Sequence, residues 1–216
     1  MYGISEVISM KIGIMGGTFD PIHNGHLHLA RTALTQFDLD QIWFMPNGMP
    51  PHKKQSSIES DIHERIAMTR IAIKANKQFY LQEYEAKREK VSYSYKTMEH
   101  FRKIYPDDEF YFIIGADSLF SIETWKHPER LFKACIILAA CRDEAATKES
   151  LNGQIQMLKG KYGAYIKFLA MPLEHVSSHE IRKLIESGEP VSEYIPAEVE
   201  AYIRKEGLYG SGNRKK

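Results

Sequence analysis

An α/β fold is what this chain predicts, on three observations. Short apolar runs recur at "KIGIM" (11–15), "QIWFM" (41–45), "EFYFIIG" (109–115), "CIILAA" (135–140) and "AYIKFLA" (164–170), each with the length and composition of a buried strand. Stretches of helical period lie between them. The 216 residues suffice for one well-buried core. Parallel strands need crossovers that pass over a face of their sheet, so the expectation is a Rossmann-like open, mostly parallel sheet with helices on both faces.

The elements follow in order. The first strand, 11–15, runs into Gly16 and Gly17. A helix starts near Asn24, with Leu27, Ala30, Leu34 and Phe37 on one face. After the second strand a helix starts near Asp61, placing Ile62, Ile66, Thr69 and Ile73 at helical spacing. Further helices start near Ser94, Ser178 and Pro196. The expected organisation is an N-terminal extension (1–10, with Met10 as an alternative start), one domain (11–209) and a disordered tail (210–216) whose "GSGNRKK" is linker-like.

Composition narrows the partners. With 29 Lys and Arg against 28 Asp and Glu, no excess of positive charge points to nucleic acid. Cys135 and Cys141 fit neither a disulfide framework nor a paired-thiolate metal site and read as buried thiols of a reducing compartment. The first ten residues lack a basic start and no later run approaches a membrane span. A cytoplasmic protein, with neither membrane nor nucleic acid as partner, is expected. The absence of a coiled-coil seam leaves monomer and homodimer both open.

In open α/β sheets ligands sit beyond the carboxyl ends of the strands, so loops after strands carry function. The first such loop is "GGTFDPIHNGH" (16–26). Gly16 and Gly17 stand between a strand and a helix, where backbone amides and the helix dipole favour phosphate. The order Gly13, Gly16, Gly17 is not the dinucleotide fingerprint, and no P-loop lysine follows. His23 precedes the helix and His26 opens it, with Gly25 leaving room for a ligand. A phosphate beside an imidazole favours its charged form, which then donates strong hydrogen bonds. Structural histidines are the competing reading at this point. A zinc site with His28 is disfavoured, because His28 turns to another helix face.

The loop resembles the signature of the nucleotidyltransferase superfamily, whose His-x-Gly-His stands here as His23, Asn24, Gly25, His26. "VSSHEIRKLI" (176–185) resembles that family's Ser-Ser-Thr-x-Ile-Arg element, with His179 in place of the usual Thr. "IWFMPNGMPPHK" (42–53), "VSYSYKT" (91–97), "FIIGADSL" (112–119) and "IPAEVEAYIRKEGLY" (195–209) are similar to bacterial nicotinate mononucleotide adenylyltransferases. The resemblance thus covers residues 11–209.

It implies roles for particular residues. His23, His26 and Arg182 would be catalytic. Gly16, Gly17, Thr18 and Phe19 would line the nucleotide groove through their backbone, Gly115 and Asp117 would hold the adenosine side, and Ser177, Ser178 and Arg182 would meet the triphosphate. Asn47, Lys53, Ser94 and Trp125 correspond to the nicotinate pocket, with the indole stacked on the pyridine ring. An ordinary helix cap is the alternative for the serines, and core filling the alternative for Trp125. Besides His179, three departures accompany the match: Ser94 for a common Thr, Lys126 where an aromatic residue is frequent, and "CRDEAA" in place of an Arg-Pro-Gly element, which leaves only Arg142 of it.

The implied reaction joins ATP, carrying Mg2+, to nicotinate mononucleotide, giving nicotinate adenine dinucleotide and pyrophosphate. No protein side chain is expected to hold the metal. The nucleophile is already an anion at neutral pH, so catalysis reduces to alignment and charge stabilisation. A phosphopantetheine adenylyltransferase and a non-catalytic nucleotide sensor are the rival readings.

Overall fold

The computed structural model describes residues 9–48, 58–88, 90–142, 145–171 and 177–212. Its elements run β1 (Lys11–Gly17), α1 (Asn24–Gln36), β2 (Gln41–Pro46), α2 (Ile62–Ile73), β3 (Phe79–Leu81), α3 (Ser94–Ile104), β4 (Glu109–Gly115), α4 (Ala116–Ser121), α5 (Pro128–Ala134), β5 (Ile136–Arg142), α6 (Ala145–Tyr162), β6 (Ile166–Met171), α7 (Ser178–Ser187) and α8 (Ala197–Glu206). The six strands pair in the order β3-β2-β1-β4-β5-β6, and every pairing is parallel. The expected α/β architecture is therefore present, with a sheet parallel throughout.

The central strands are buried on both faces, which is why they read as unbroken apolar runs. Alternate residues of β1 feed two cores. Met15 packs with Leu27, Ala30 and Phe44 on one side, and Ile12 and Ile14 with Met98, Phe110 and Leu119 on the other. Each fully buried Met, Leu, Ile or Phe among them contributes about 1.5–3 kcal/mol.

Four features depart from expectation. β3 is three residues long, too short for a period to show, and is recruited at the sheet edge by pairing with Ile42, Trp43 and Phe44. The 18-residue α6 buries Leu151 and Leu158, with Ile155 and Tyr162 packed beside them. The short α4 and α5 fill the connections after β4. On α2 the buried face is Arg65, Met68, Thr69 and Ile73, while Ile62 and Ile66 are half-buried.

Cys135 and Cys141 are both buried. Among the described residues no helix is long and apolar enough to cross a membrane. Of the expected extension, residues 1–8 lie outside the described residues, and the Met10 amide donates to Asp108 Oδ1 at 2.9 Å. Residues 213–216 of the expected tail also lie outside, whereas Ser211 Oγ donates to Ile203 O at 3.0 Å.

Candidate active site

The strand order reverses between β1 and β4, so their crossovers leave in opposite directions and open a crevice at the carboxyl ends. A cleft of about 640 Å³ lies there. Gly16, Gly17, Thr18 and His26 line it from the β1 side, Asn47 from the end of β2, and Ser94, Gly115 and Trp125 from α3, β4 and the turn before α5. Eight sequence-predicted residues from both substrate groups thus meet in one cavity. Phe19 and His23 are buried and Asp117 is exposed on the first turn of α4. None of those three is in the cleft wall, nor are Ser177, Ser178 and Arg182. Lys53 and the side chain of Arg142 lie outside the described residues.

The first loop is tightly determined. A Cβ on Gly17 would stand 2.8 Å from the Phe19 ring, so glycine is required where that buried ring folds back. Phe19 itself takes the left-handed region at φ 51, and the Asp20–Pro21 peptide is cis. His23 then caps α1 in an extended conformation, and its amide donates to His26 Nδ1 at 3.3 Å. In a neutral ring this places the His26 proton on Nε2. The two imidazoles lie 3.8 Å apart between centroids, and the Phe19 ring meets His26 edge-on at 5.0 Å. At its first residue α1 is held by the Asn24 backbone amide, which donates to Tyr194 O at 2.7 Å.

His23 is 8% exposed and its Nδ1 is buried with no hydrogen-bond partner. Burial pushes its imidazole down to about 4, so the protein alone holds it neutral at pH 7. A charged His23 requires an anion beside it.

Asp20 is the hub that sequence reasoning missed, although it sits inside the loop already singled out. It is 2% exposed, and its carboxylate accepts from the amides of Glu59 (2.8 Å) and Ser60 (3.2 Å) and from the Tyr209 hydroxyl (2.7 Å). Beside that carboxylate, burial also pushes the Tyr209 hydroxyl far up. Arg182 Nη1 donates to Asp20 O at 2.7 Å, and its Nε to Glu59 Oε1 at 2.6 Å. Ser178 Oγ donates to Pro21 O at 3.0 Å. Ser177 forms a capping box with Glu180, which is the cap reading of that residue, and His179 is exposed. Arg182, Ser178 and Tyr209 therefore brace the loop from sequence distances of 157 to 189 residues.

At the opposite end of the cleft Ser94 opens α3 and Trp125 closes a turn at residues 122–124, its indole edge-on to Phe112 at 6.5 Å. Glu85 joins them in the wall. Its carboxyl accepts from Thr97 Oγ1 at 2.7 Å and is pushed up by burial. A Cβ on Gly48 would stand 2.5 Å from Glu85 O, so the segment after β2 passes as close as glycine allows. Among the described residues no three His, Cys, Asp or Glu side chains are grouped as a metal cage, and the Asp20 carboxylate is already taken up by the donors just named.

Known proteins resemble the chain in sequence and in fold. A cytidylyltransferase-like family model matches residues 14–184. The probable nicotinate-nucleotide adenylyltransferase of Clostridium kluyveri is 40% identical over 202 residues, covering 93% of this chain and 99% of that protein. The one from Carboxydothermus hydrogenoformans is 44% identical over 199 residues, covering 92% and 98%. The Plasmodium falciparum nicotinic acid mononucleotide adenylyltransferase complexed with NaAD shares the fold, with a TM-score of 0.76 at 22% identity over 93% of this chain and 98% of that one. The chain belongs to the cytidylyltransferase-like family and, within it, to the nicotinate-nucleotide adenylyltransferases.

Proposed function

We propose that the protein transfers the adenylyl group of ATP to nicotinate mononucleotide, forming nicotinate adenine dinucleotide for NAD synthesis. The observation that carries the reading is one cleft whose wall includes His26 with its glycine loop as well as Ser94 and Trp125, in a chain about 40% identical to proteins of that name over nearly their whole length. A phosphate oxygen of the mononucleotide attacks the α-phosphorus of ATP. The bond from that phosphorus to the α,β-bridging oxygen breaks, and pyrophosphate leaves with the electron pair.

The attacking oxygen needs no general base, so the protein supplies alignment and charge. His26 donates from Nε2 to the transferring phosphoryl group. His23, neutral in the protein alone, takes a proton when the polyphosphate lies against the α1 N-terminus, where the helix dipole also favours the anion. Arg182, bonded to Glu59 and to Asp20 O outside the cleft wall, serves the reaction by holding the loop that carries the two histidines, and Trp125 stacks on the pyridine ring. Mg2+ bound with ATP would supply screening of the triphosphate charge, with no side chain of this protein assigned to hold it. A cytoplasmic setting belongs to the same proposal.

The test is pyrophosphate release from ATP and Mg2+ with nicotinate mononucleotide, nicotinamide mononucleotide and phosphopantetheine in parallel. Turnover fastest with the nicotinate compound is expected. Turnover with phosphopantetheine alone, or with none of the three, refutes the reading.

A further inference from the structure

Thr18 and Asn47 line the cleft from the ends of two different strands, and one buried side chain joins them. Arg65, on α2, is 2% exposed. Its Nη1 donates to Thr18 O and to Asn47 O, each at 2.8 Å. Thr18 follows β1 and Asn47 follows β2, and both line the cleft. Because one nitrogen makes both bonds, the two carbonyls are held no farther apart than twice that distance. The Asn47 amide closes the same junction by donating to Gly17 O at 2.8 Å.

We propose that Arg65 is a positioning residue that sets the spacing between the nucleotide loop and the acceptor end of the cleft, a role that rests on the adenylyl-transfer reading. Carbonyls just past a strand end have lost their ladder partners and need a donor. A cationic donor makes the stronger bond. A buried cation also needs a counter-charge, and Asp20, part of the loop being held, provides it. Arg65 lies outside the cleft wall, so its influence on the reaction passes through Thr18 and Asn47. Misplacing reacting groups by about 1 Å costs about a hundredfold in rate.

Arg65→Lys separates position from charge. Lysine keeps a cation facing Asp20, but its stem ends about one bond short of Nη1, which stretches both carbonyl bonds beyond hydrogen-bonding length. With ATP and nicotinate mononucleotide, kcat is expected to fall about tenfold to a hundredfold, each KM to stay within about threefold, and the melting temperature to drop, because two buried carbonyls lose their donor, with the variant still folded at the assay temperature. Wild-type kcat in Arg65→Lys overturns the proposal, as does a rise in one KM without a fall in kcat, which would tie Arg65 to one half-site. A variant that does not fold assigns Arg65 to core stability instead. Wild-type protein run alongside distinguishes the two levels: without pyrophosphate release there, the adenylyl-transfer reading and the clamp resting on it both fall, whereas wild-type turnover with an unimpaired variant removes the clamp alone.

Discussion

Acidification should unfold this protein in part through a single imidazole. His23 is buried with Nδ1 unpartnered, and its folded-state value is about 4 against 6.5 for an ordinary histidine. Between those pH values the unfolded chain binds a proton that the folded chain refuses. Stability is therefore full above pH 6.5 and is lost as the pH falls toward 4. At about 1.4 kcal/mol per pH unit, the loss reaches about 2 kcal/mol at pH 5 and about 3 kcal/mol at pH 4. Urea unfolding of wild type and of His23→Gln at pH 7.5, 5 and 4 isolates the effect, because exposed carboxylates act alike in both proteins. The wild type should lose that much more stability than the variant over the interval. Parallel pH dependences would refute burial of a neutral imidazole at position 23.

Three further outcomes are expected. His26→Ala should lose about 10²- to 10³-fold in turnover, the usual effect of removing one preorganised donor to developing charge, with an unchanged circular dichroism spectrum; near-wild-type pyrophosphate release would count against its role. Gly17→Ala drives a Cβ into the buried Phe19 ring and should cost about 1–3 kcal/mol in denaturant unfolding. Tyr209→Phe removes a donor from the buried Asp20 carboxylate and should cost about 1.5–3 kcal/mol; a neutral result would mean that Asp20 finds another partner.

The sheet was legible because strands buried on both faces leave unbroken apolar runs, as at 109–115. β3 was not, because three residues show no period and its pairing with β2 is a tertiary choice. α6 left a signal in Leu151, Ile155, Leu158 and Tyr162, diluted by the polar residues and two glycines among them. In the cleft, Gly16, Gly17, Thr18 and His26 were readable together since they are neighbours in the chain. Arg65 was not, because a charged residue on an amphipathic helix is ordinarily assigned to solvent. Here the tertiary demand of two strand-end carbonyls turns it inward. Tyr209 likewise carries no local mark of its partner, which lies 189 residues earlier.

The bracing of the first loop has a consequence for how activity is lost. Its restraints come from residues 59–60, 65, 178, 182 and 209, so the loop takes its shape only once remote parts of the chain have docked. Local helices and strand pairs can persist while such long-range contacts open. Mild denaturant should thus silence the enzyme before it melts the helices, making catalysis a more sensitive gauge of complete assembly than any measure of secondary structure.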